Sequence, residues 1–390
     1  MTIELNRIYN IDCLDGMLGL NDNSVDLITT DPPYGMKFMS RDWDKALPSI
    51  DIWKECLRVL KPGAFTFVMC IPRQDCLSKM ISNLSDAGFR TDFTSIYWTF
   101  ATGFPKAHNI GKAIDKKAGK KGEEYIREDF AKRSNKIEQR KSQVICGQKG
   151  VYNKLVTPEA KALEGSYAGF QPKPAVEVII VAMKPLSEKN YTEQAISNKK
   201  GVTWLDDCRI PYKSGYTPIA GKRTASFFEK DTVSGGDGSG GFKANDKGRF
   251  PANLLVSDEV LGEHSKFFRL PFLITPKASK SEKNKGLEDI EAEPIKGRDD
   301  GQDVRNVPYK QRTTPVKNQH PTVKPIKLMS YLITMGSREG DLVVDPFGGS
   351  GTTSIACKLL DRKYILFEIS KEYVEIANKR LKEYDNRGTT

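Results

Sequence analysis

At both ends of this 390-residue chain, short apolar runs alternate with helix-spaced segments, and that alternation constrains the fold more than any other feature. Residues 8–11, 25–30, 64–69 and 91–100 read as strands. Between them, 15–20, 50–60 and 75–87 read as helices. The second carries Ile50, Trp53, Leu57 and Leu60 on one face and stops at Lys61-Pro62-Gly63, and the third closes at Gly88. The pattern resumes near the other end, with helices over 326–334, 350–360 and 371–384 and strands over 342–344 and 364–367. The strongly apolar run 176–182 belongs to the same sheet. Strands joined through helices predict an α/β fold with a doubly wound, mostly parallel sheet.

The middle of the chain differs. Residues 101–160 hold 14 Lys or Arg against 7 Asp or Glu, within a chain of net charge +11. Residues 104–170 read as basic, mainly helical or loop-like. Residues 186–319 are polar and loop-rich, with a glycine–serine tract at 234–241 and short apolar pieces at 254–256 and 267–274. The expected organisation is a core half over 1–103, a basic insertion over 104–171, a returning strand over 172–185, an inserted region over 186–319 and a second core half over 320–390. A polyanionic partner fits the charge.

Asp31-Pro32-Pro33-Tyr34 follows the strand 25–30. Two prolines fix the backbone and withhold two N–H donors, so a carbonyl there can face outward without a ladder partner. Asp31 adds acceptor oxygens and Tyr34 a flat ring. Such a group can accept hydrogen bonds from an –NH2 and stack on the planar ring that carries it.

Asp345-Pro346-Phe347-Gly348-Gly349-Ser350-Gly351-Thr352-Thr353 lies between a strand and a helix. Its glycines allow positive φ and close backbone approach, and the helix start favours an anionic group. No lysine follows the last glycine, so a phosphate loop is not matched, and neither is the Gly-x-Gly-x-x-Gly dinucleotide fingerprint. Glu368 closes the next strand, 17 positions after Gly351. An acid near that offset hydrogen-bonds a ribose diol in doubly wound folds. A nucleoside cofactor that carries a carboxylate follows, and S-adenosylmethionine fits.

These stretches together resemble the DNA amino-methyltransferases of the beta arrangement, including phage and prophage members. In that family the Asp-Pro-Pro-Tyr motif comes first, a target-recognition region second and the glycine-rich motif last. Asp12-Cys13-Leu14, Lys61-Pro62-Gly63, His320-Pro321-Thr322-Val323-Lys324-Pro325 and Phe367-Glu368-Ile369 support the likeness. So do looser stretches at 173–177, 248–253 and 277–280. The resemblance implies a Rossmann-like methyltransferase fold with an inserted target-recognition region.

It also implies roles. Asp31 and the Pro32 carbonyl, with Pro33 in the same motif, would accept the target amine, and Tyr34 would stack on its base. Phe347, Gly348, Gly349 and Gly351 would line the cofactor pocket, within a motif that includes Asp345 and Ser350. Thr352 and Thr353 would meet the methionine carboxylate, Glu368 the ribose, and Asp12, beside Cys13, the adenine edge. Pro321, Thr322 and Lys324 would wall the methionine end. Arg249, Lys277, Lys280 and the run Lys116–Lys121 are candidate DNA contacts.

The implied reaction is site-specific methylation of double-stranded DNA after base flipping. Asp at position 31 points first to adenine N6 and second to cytosine N4, since both bases present an amine to the same acceptors. A homodimer and a cognate restriction enzyme are further expected partners. The long variable middle and the basic balance argue against a small-molecule substrate. The intact motifs argue against a catalytically silent DNA-binding module.

Seven scattered cysteines without a Cys-x-x-Cys pair, and only three histidines, argue against structural metal and disulfides. No apolar run reaches membrane-spanning length and no signal-peptide pattern opens the chain, so a cytoplasmic protein is expected.

Overall fold

The computed structural model describes residues 3–35, 46–100, 108–126, 151–170, 172, 175–211, 247–256, 278–292 and 317–385. Their strands are β1 (Arg7–Tyr9), β2 (Leu27–Thr30), β3 (Phe65–Cys70), β4 (Ile96–Thr99), β5 (Glu124–Ile126), β6 (Val151–Asn153), β7 (Val176–Met183), β8 (Leu254–Val256), β9 (Leu342–Asp345) and β10 (Lys363–Phe367). The chain divides into two compact units, Met1–Ala101 with Val176–Thr390, and Thr102–Ala175.

The larger unit holds one eight-stranded sheet in the order β1-β10-β9-β2-β3-β7-β4-β8. Every neighbouring pair is parallel except those made by β7, which runs antiparallel to both β3 and β4. The α/β, doubly wound, mostly parallel fold is thus as expected from the sequence. β8 forms the far edge of this sheet, beside β4, so one piece of the region 186–319 is a core strand. The helix Tyr191–Asn198 also leads onto the core, where Gly201 donates its N–H to the Gly63 carbonyl at 2.8 Å.

Both faces of the sheet are covered, and side chains alternate between them with the period of a strand. Leu27, Phe65, Phe67, Met69, Ile179 and Val343 belong to one apolar layer. Ile28, Val68, Cys70, Val178, Ile180 and Val344 belong to the other. The helices Ile326–Gly336 and Thr352–Leu359 cover the first layer, and Ile50–Val59 and Gln74–Asp86 the second. Gly88 ends the latter helix at φ +105°, a conformation that glycine adopts without a Cβ penalty.

Several expected elements shift. The helix expected over 15–20 runs Cys13–Met17, started by the Asp12 cap. The expected strand over 91–100 narrows to Ile96–Thr99, while Arg90 makes a separate bridge to Met183. The expected helix from Ser350 begins instead at Thr352, because Gly351 sits at φ +78° and is not helical.

The smaller unit contains the helix Ile110–Lys117, capped by Asn109, the short helix Pro158–Ala162 and an antiparallel ribbon of β5 with β6. The ribbon is an addition to the helical or loop-like expectation. Asp115 ties the helix to the chain after β6, accepting from Val156 N at 2.8 Å and Thr157 N at 3.0 Å.

Candidate active site

The strand order places the site. From β2 the chain moves outward to β3, whereas from β9 it moves the other way to β10, so β2 and β9 flank a topological switch point. Ligands of open α/β sheets bind there, beyond the carboxyl ends of the strands. Ile28 pairs with Val344, and the same register carried forward brings Asp31 beside Phe347. Residues from opposite ends of the chain therefore meet on one rim.

A buried carboxylate joins the two loops. Asp345 is 3% exposed. Its Oδ1 accepts from Thr30 Oγ1 at 2.6 Å and from Phe347 N at 3.0 Å, and its Oδ2 accepts from Thr353 Oγ1 at 2.6 Å. Burial pushes its carboxyl up to about 6. Asp345 thus clamps the residue before Asp31 to the glycine turn. The Thr353 hydroxyl is engaged in that clamp.

Asp31 stands in a buried polar cluster. Tyr34 Oη lies 2.5 Å from Asp31 Oδ1 and 2.5 Å from Glu177 Oε1. Lys324 Nζ donates to Asp31 Oδ2 and lies 3.1 Å from Glu177 Oε1. The side chains of Lys324, Asp31 and Glu177 are 10%, 18% and 14% exposed. Burial raises the Asp31 carboxyl above the usual carboxylate range, against the pull of Lys324. Burial opposes the Lys324 ammonium, yet Asp31 and Glu177 together lift its pKa above the ordinary lysine value. Burial, and then the two carboxylates, push the Tyr34 phenol well above its ordinary value. The lysine therefore carries the charge that holds two acids at one point.

One open pocket is lined by Asp31 together with Thr322, Lys324 and Phe347. Asp345, Gly348, Gly349, Ser350, Thr352 and Thr353 line it too, while Pro32, Pro33, Tyr34, Asp12, Cys13, Glu368, Pro321 and Gly351 are not among its lining. Gly349 has φ +51°, and a Cβ there would come within 2.8 Å of His320 Nε2. Glu368 reaches the turn from behind: its Oε2 accepts from Gly349 N and its Oε1 from Ser370 N, both at 2.8 Å. Burial raises its carboxyl above the usual range. Asp12 caps the helix Cys13–Met17 by accepting from Leu14 N at 2.9 Å. Burial, then Asp12 and more weakly Glu368, raise the neighbouring Cys13 thiol to about 12.

The start of the helix Thr352–Leu359 has no side-chain cap, which leaves its N-terminal N–H groups for another acceptor. Arg380 adds positive charge behind it. This side chain is 1% exposed, and its Nη1 donates to Ser350 O at 2.5 Å, Ser350 Oγ at 3.0 Å and Thr352 Oγ1 at 3.4 Å. Burial lowers its pKa to about 10, and the group stays charged.

The sequence profile of the N6_N4_Mtase family, described as DNA methylase, matches residues 25–379. The chain belongs to the N6/N4 DNA methylases. The orphan methyltransferase M.BamHII of Bacillus amyloliquefaciens is 58% identical over 66 residues, which is 17% of this chain and 25% of that protein. The type II methyltransferase M.BamHI of the same organism is 37% identical over 139 residues, 35% of this chain and 32% of that one. The curated relatives are thus matched over about a third of their length or less. Among solved structures, the PvuII DNA methyltransferase (cytosine-N4-specific) aligns over 97% of this chain and 87% of its own, at 17% identity and TM-score 0.45.

The donors present fit S-adenosylmethionine. An uncapped helix start backed by Arg380 suits a carboxylate. A carboxylate at Glu368, fixed by two backbone N–H groups, keeps lone pairs for a diol. Replacing Glu368 by alanine should weaken S-adenosylmethionine binding by about tenfold to a hundredfold, as expected for a charge-assisted hydrogen bond. Isothermal titration of the methylase checks this, and an unchanged affinity would remove Glu368 from the cofactor site.

The candidate DNA contacts are not among the residues lining this pocket. Arg249 makes a backbone bridge with Ile210, its N–H donating at 2.8 Å. Next to it Phe250 is exposed, with the Arg209 guanidinium 5.3 Å from its ring centre. Lys280 is exposed at the start of the helix Lys280–Asn284, which Ser279 caps. Lys277 lies outside the described residues. In the smaller unit, Lys116 and Lys117 occupy the last turn of the helix Ile110–Lys117.

Three functional side chains take a place that their sequence context does not announce. Lys324, expected to wall the cofactor, is paired with Asp31. Glu177 reads in sequence as part of a strand and of the looser 173–177 likeness, with no role of its own, and it joins Tyr34 and Lys324. Arg380 reads as one charge on a Lys- and Glu-rich terminal helix, and it is buried behind the glycine turn.

Proposed function

We propose that this methylase transfers a methyl group from S-adenosylmethionine to the exocyclic N6 of adenine at specific sites in double-stranded DNA. The observation that carries the reading is that Asp31 and the glycine turn face a single pocket. An amine inside a duplex cannot reach such a pocket, so the target base must be flipped out. The Tyr34 ring offers it a stacking surface, and Asp31 accepts one of its N–H bonds. That hydrogen bond draws the nitrogen toward a tetrahedral shape and turns its lone pair toward the cofactor side. When bound, S-adenosylmethionine supplies an electrophilic methyl group on a sulfonium. Much of the acceleration comes from holding both reactants in register on one rim of the sheet.

The choice of adenine rests on aspartate at position 31 within the Asp-Pro-Pro-Tyr motif. Cytosine N4 offers the same donors to the same acceptors, so a direct readout is required. The chain should be produced in cells that lack other DNA methylases, and the DNA read by single-molecule sequencing with nucleoside mass spectrometry. N6-methyladenine within one short sequence is expected. N4-methylcytosine would overturn the base assignment, and unmodified DNA the whole reading.

Recognition of the sequence falls to the parts of 186–319 outside β8 and to 104–170, with Arg249, Lys277, Lys280 and the run Lys116–Lys121 as candidate phosphate contacts. Replacing one of these basic residues by alanine should flatten the slope of log affinity against log salt by about 0.9, the value for one lost phosphate contact. An unchanged slope in a fluorescence-anisotropy titration would exclude that residue.

A further inference from the structure

Methylation of an –NH2 leaves its nitrogen with one proton too many. The N–C bond forms as the donor leaves as a neutral sulfide, and the positive charge then sits on the amine. An N–H bond must break, and the proton needs a destination. Asp31, the acceptor of that N–H, is the first stop. It is a poor last stop, because Lys324 lies on its other oxygen and the next base needs Asp31 ionised.

The Tyr34 hydroxyl bridges two carboxylates at equal, short distances, 2.5 Å to Asp31 Oδ1 and 2.5 Å to Glu177 Oε1. A hydroxyl carries one proton and can donate to only one of them at a time. The same atom can receive from one side while it gives to the other. We propose that Glu177 is the proton outlet of this methylase: Asp31 passes the amine proton to the Tyr34 oxygen as Tyr34 passes its own proton to Glu177. The phenol is regenerated, Asp31 returns to its ionised form, and Glu177 is left as a neutral acid. Its 14% exposed side chain then releases the proton to water. Lys324, within reach of both acids, stabilises whichever is ionised. The phenol never has to become a phenolate, which agrees with its strongly raised pKa.

β7 makes this arrangement. Because it runs antiparallel to β3, with Val178 beside Cys70, its first residues join the rim where the parallel strands end. Glu177 is therefore a positioning and proton-accepting residue that acts through Tyr34, with no requirement to touch the base.

The inference rests on the methyl-transfer reading above, and one experiment separates the two. Multiple-turnover methylation of unmodified genomic DNA, with methyl-labelled S-adenosylmethionine, is measured from pH 6 to 10 for the unaltered chain, Glu177→Gln, Tyr34→Phe and the double variant, because the relay resets Asp31 after each transfer. Gln keeps an oxygen for Lys324 and Tyr34 but cannot take a proton, and Phe keeps the ring. At neutral pH each single variant should be slower by about 10- to 100-fold, the lower range of general acid–base effects. The double variant should be no slower than the worse single one, because both cut the same path. The Glu177→Gln rate should climb with pH as solvent base takes over, while cofactor affinity stays unchanged. A Glu177→Gln rate within about twofold of the unaltered chain, a deficit flat in pH, or losses that multiply would each overturn the relay. No label transfer by the unaltered chain would instead overturn the underlying reading and the relay with it.

Discussion

Replacing Asp31 by alanine should lower single-turnover methyl transfer by about 10²- to 10³-fold while S-adenosylmethionine still binds, the size seen when one preorganised polar contact to a reacting centre is removed. The size follows from what the pocket becomes. Asp31 is the counter-ion of the buried Lys324 and, in the function proposed above, the acceptor for the target amine. Without it the amine meets an ammonium, a donor facing a donor, with Glu177 as the remaining acid nearby. Asp31→Asn keeps the volume and one acceptor oxygen, yet turns an NH2 toward either Lys324 or Tyr34, so it should recover little of the loss. The proposed cofactor donors, Glu368 and the uncapped helix start, follow β10 and β9 and should be unaffected. Quench-flow methylation with parallel calorimetry of cofactor binding gives both numbers. Near-normal transfer in Asp31→Ala would remove Asp31 from the chemistry.

Both motifs of this site were legible in the sequence because each is local. Asp31 and Tyr34 lie three residues apart on one turn, and Gly348 to Thr353 make one strand-to-helix connection. Their types point to a backbone-limited approach and, in the proposed function, to an amine acceptor. The neighbours of Asp31 were not legible for an equally physical reason. Glu177 sits at the start of an apolar strand, and a strand shows its direction only through its partners. Had β7 been parallel to β3, Glu177 would lie at the opposite rim. Lys324 sits in a proline-rich segment whose path is set by the Ile326–Gly336 helix, and the Glu282 side chain, 44 residues earlier, accepts from the first N–H of that helix at 2.7 Å.

Arg380 shows a different failure. Its helix Lys371–Lys382 carries Lys379, Arg380 and Lys382 in its last turn, and such a run usually belongs to a solvated face. Only packing separates Lys379, paired at the surface with Asp289, from Arg380, buried against Ser350. The extent of the core was underestimated in the same way. The three residues of β8 are an edge strand whose sheet neighbour, β4, lies far earlier in the chain, a contact that no local pattern encodes.

The clamp at Asp345 carries the largest stability prediction. Alanine there would remove three hydrogen bonds at once and leave the N–H of Phe347 and the hydroxyls of Thr30 and Thr353 buried around a void. The cost should be about 3 kcal/mol, the range for buried donors stripped of their acceptor, and the glycine turn should lose its register with Asp31. The Asp345→Asn replacement separates charge from shape. The native carboxyl titrates at about 6 because it is buried, above the ordinary aspartate value of about 3.9. Its contribution to stability is therefore fully present below pH 4 and is lost as the pH rises through 6, a change of about 3 kcal/mol. The amide holds no proton to lose. It can still accept from Phe347 or Thr30 and donate to the Thr353 oxygen, so the difference in stability between Asp345→Asn and the native chain should grow between pH 4 and 6 and then level off. Urea denaturation of both proteins at stepped pH measures that difference, and parallel curves across the window would mean that the Asp345 carboxylate is not held at a cost. A fixed negative charge one strand from Asp31 favours the cationic reactant on which this chemistry depends, so Asp345→Asn should be the more stable protein above pH 6 and the slower methylase.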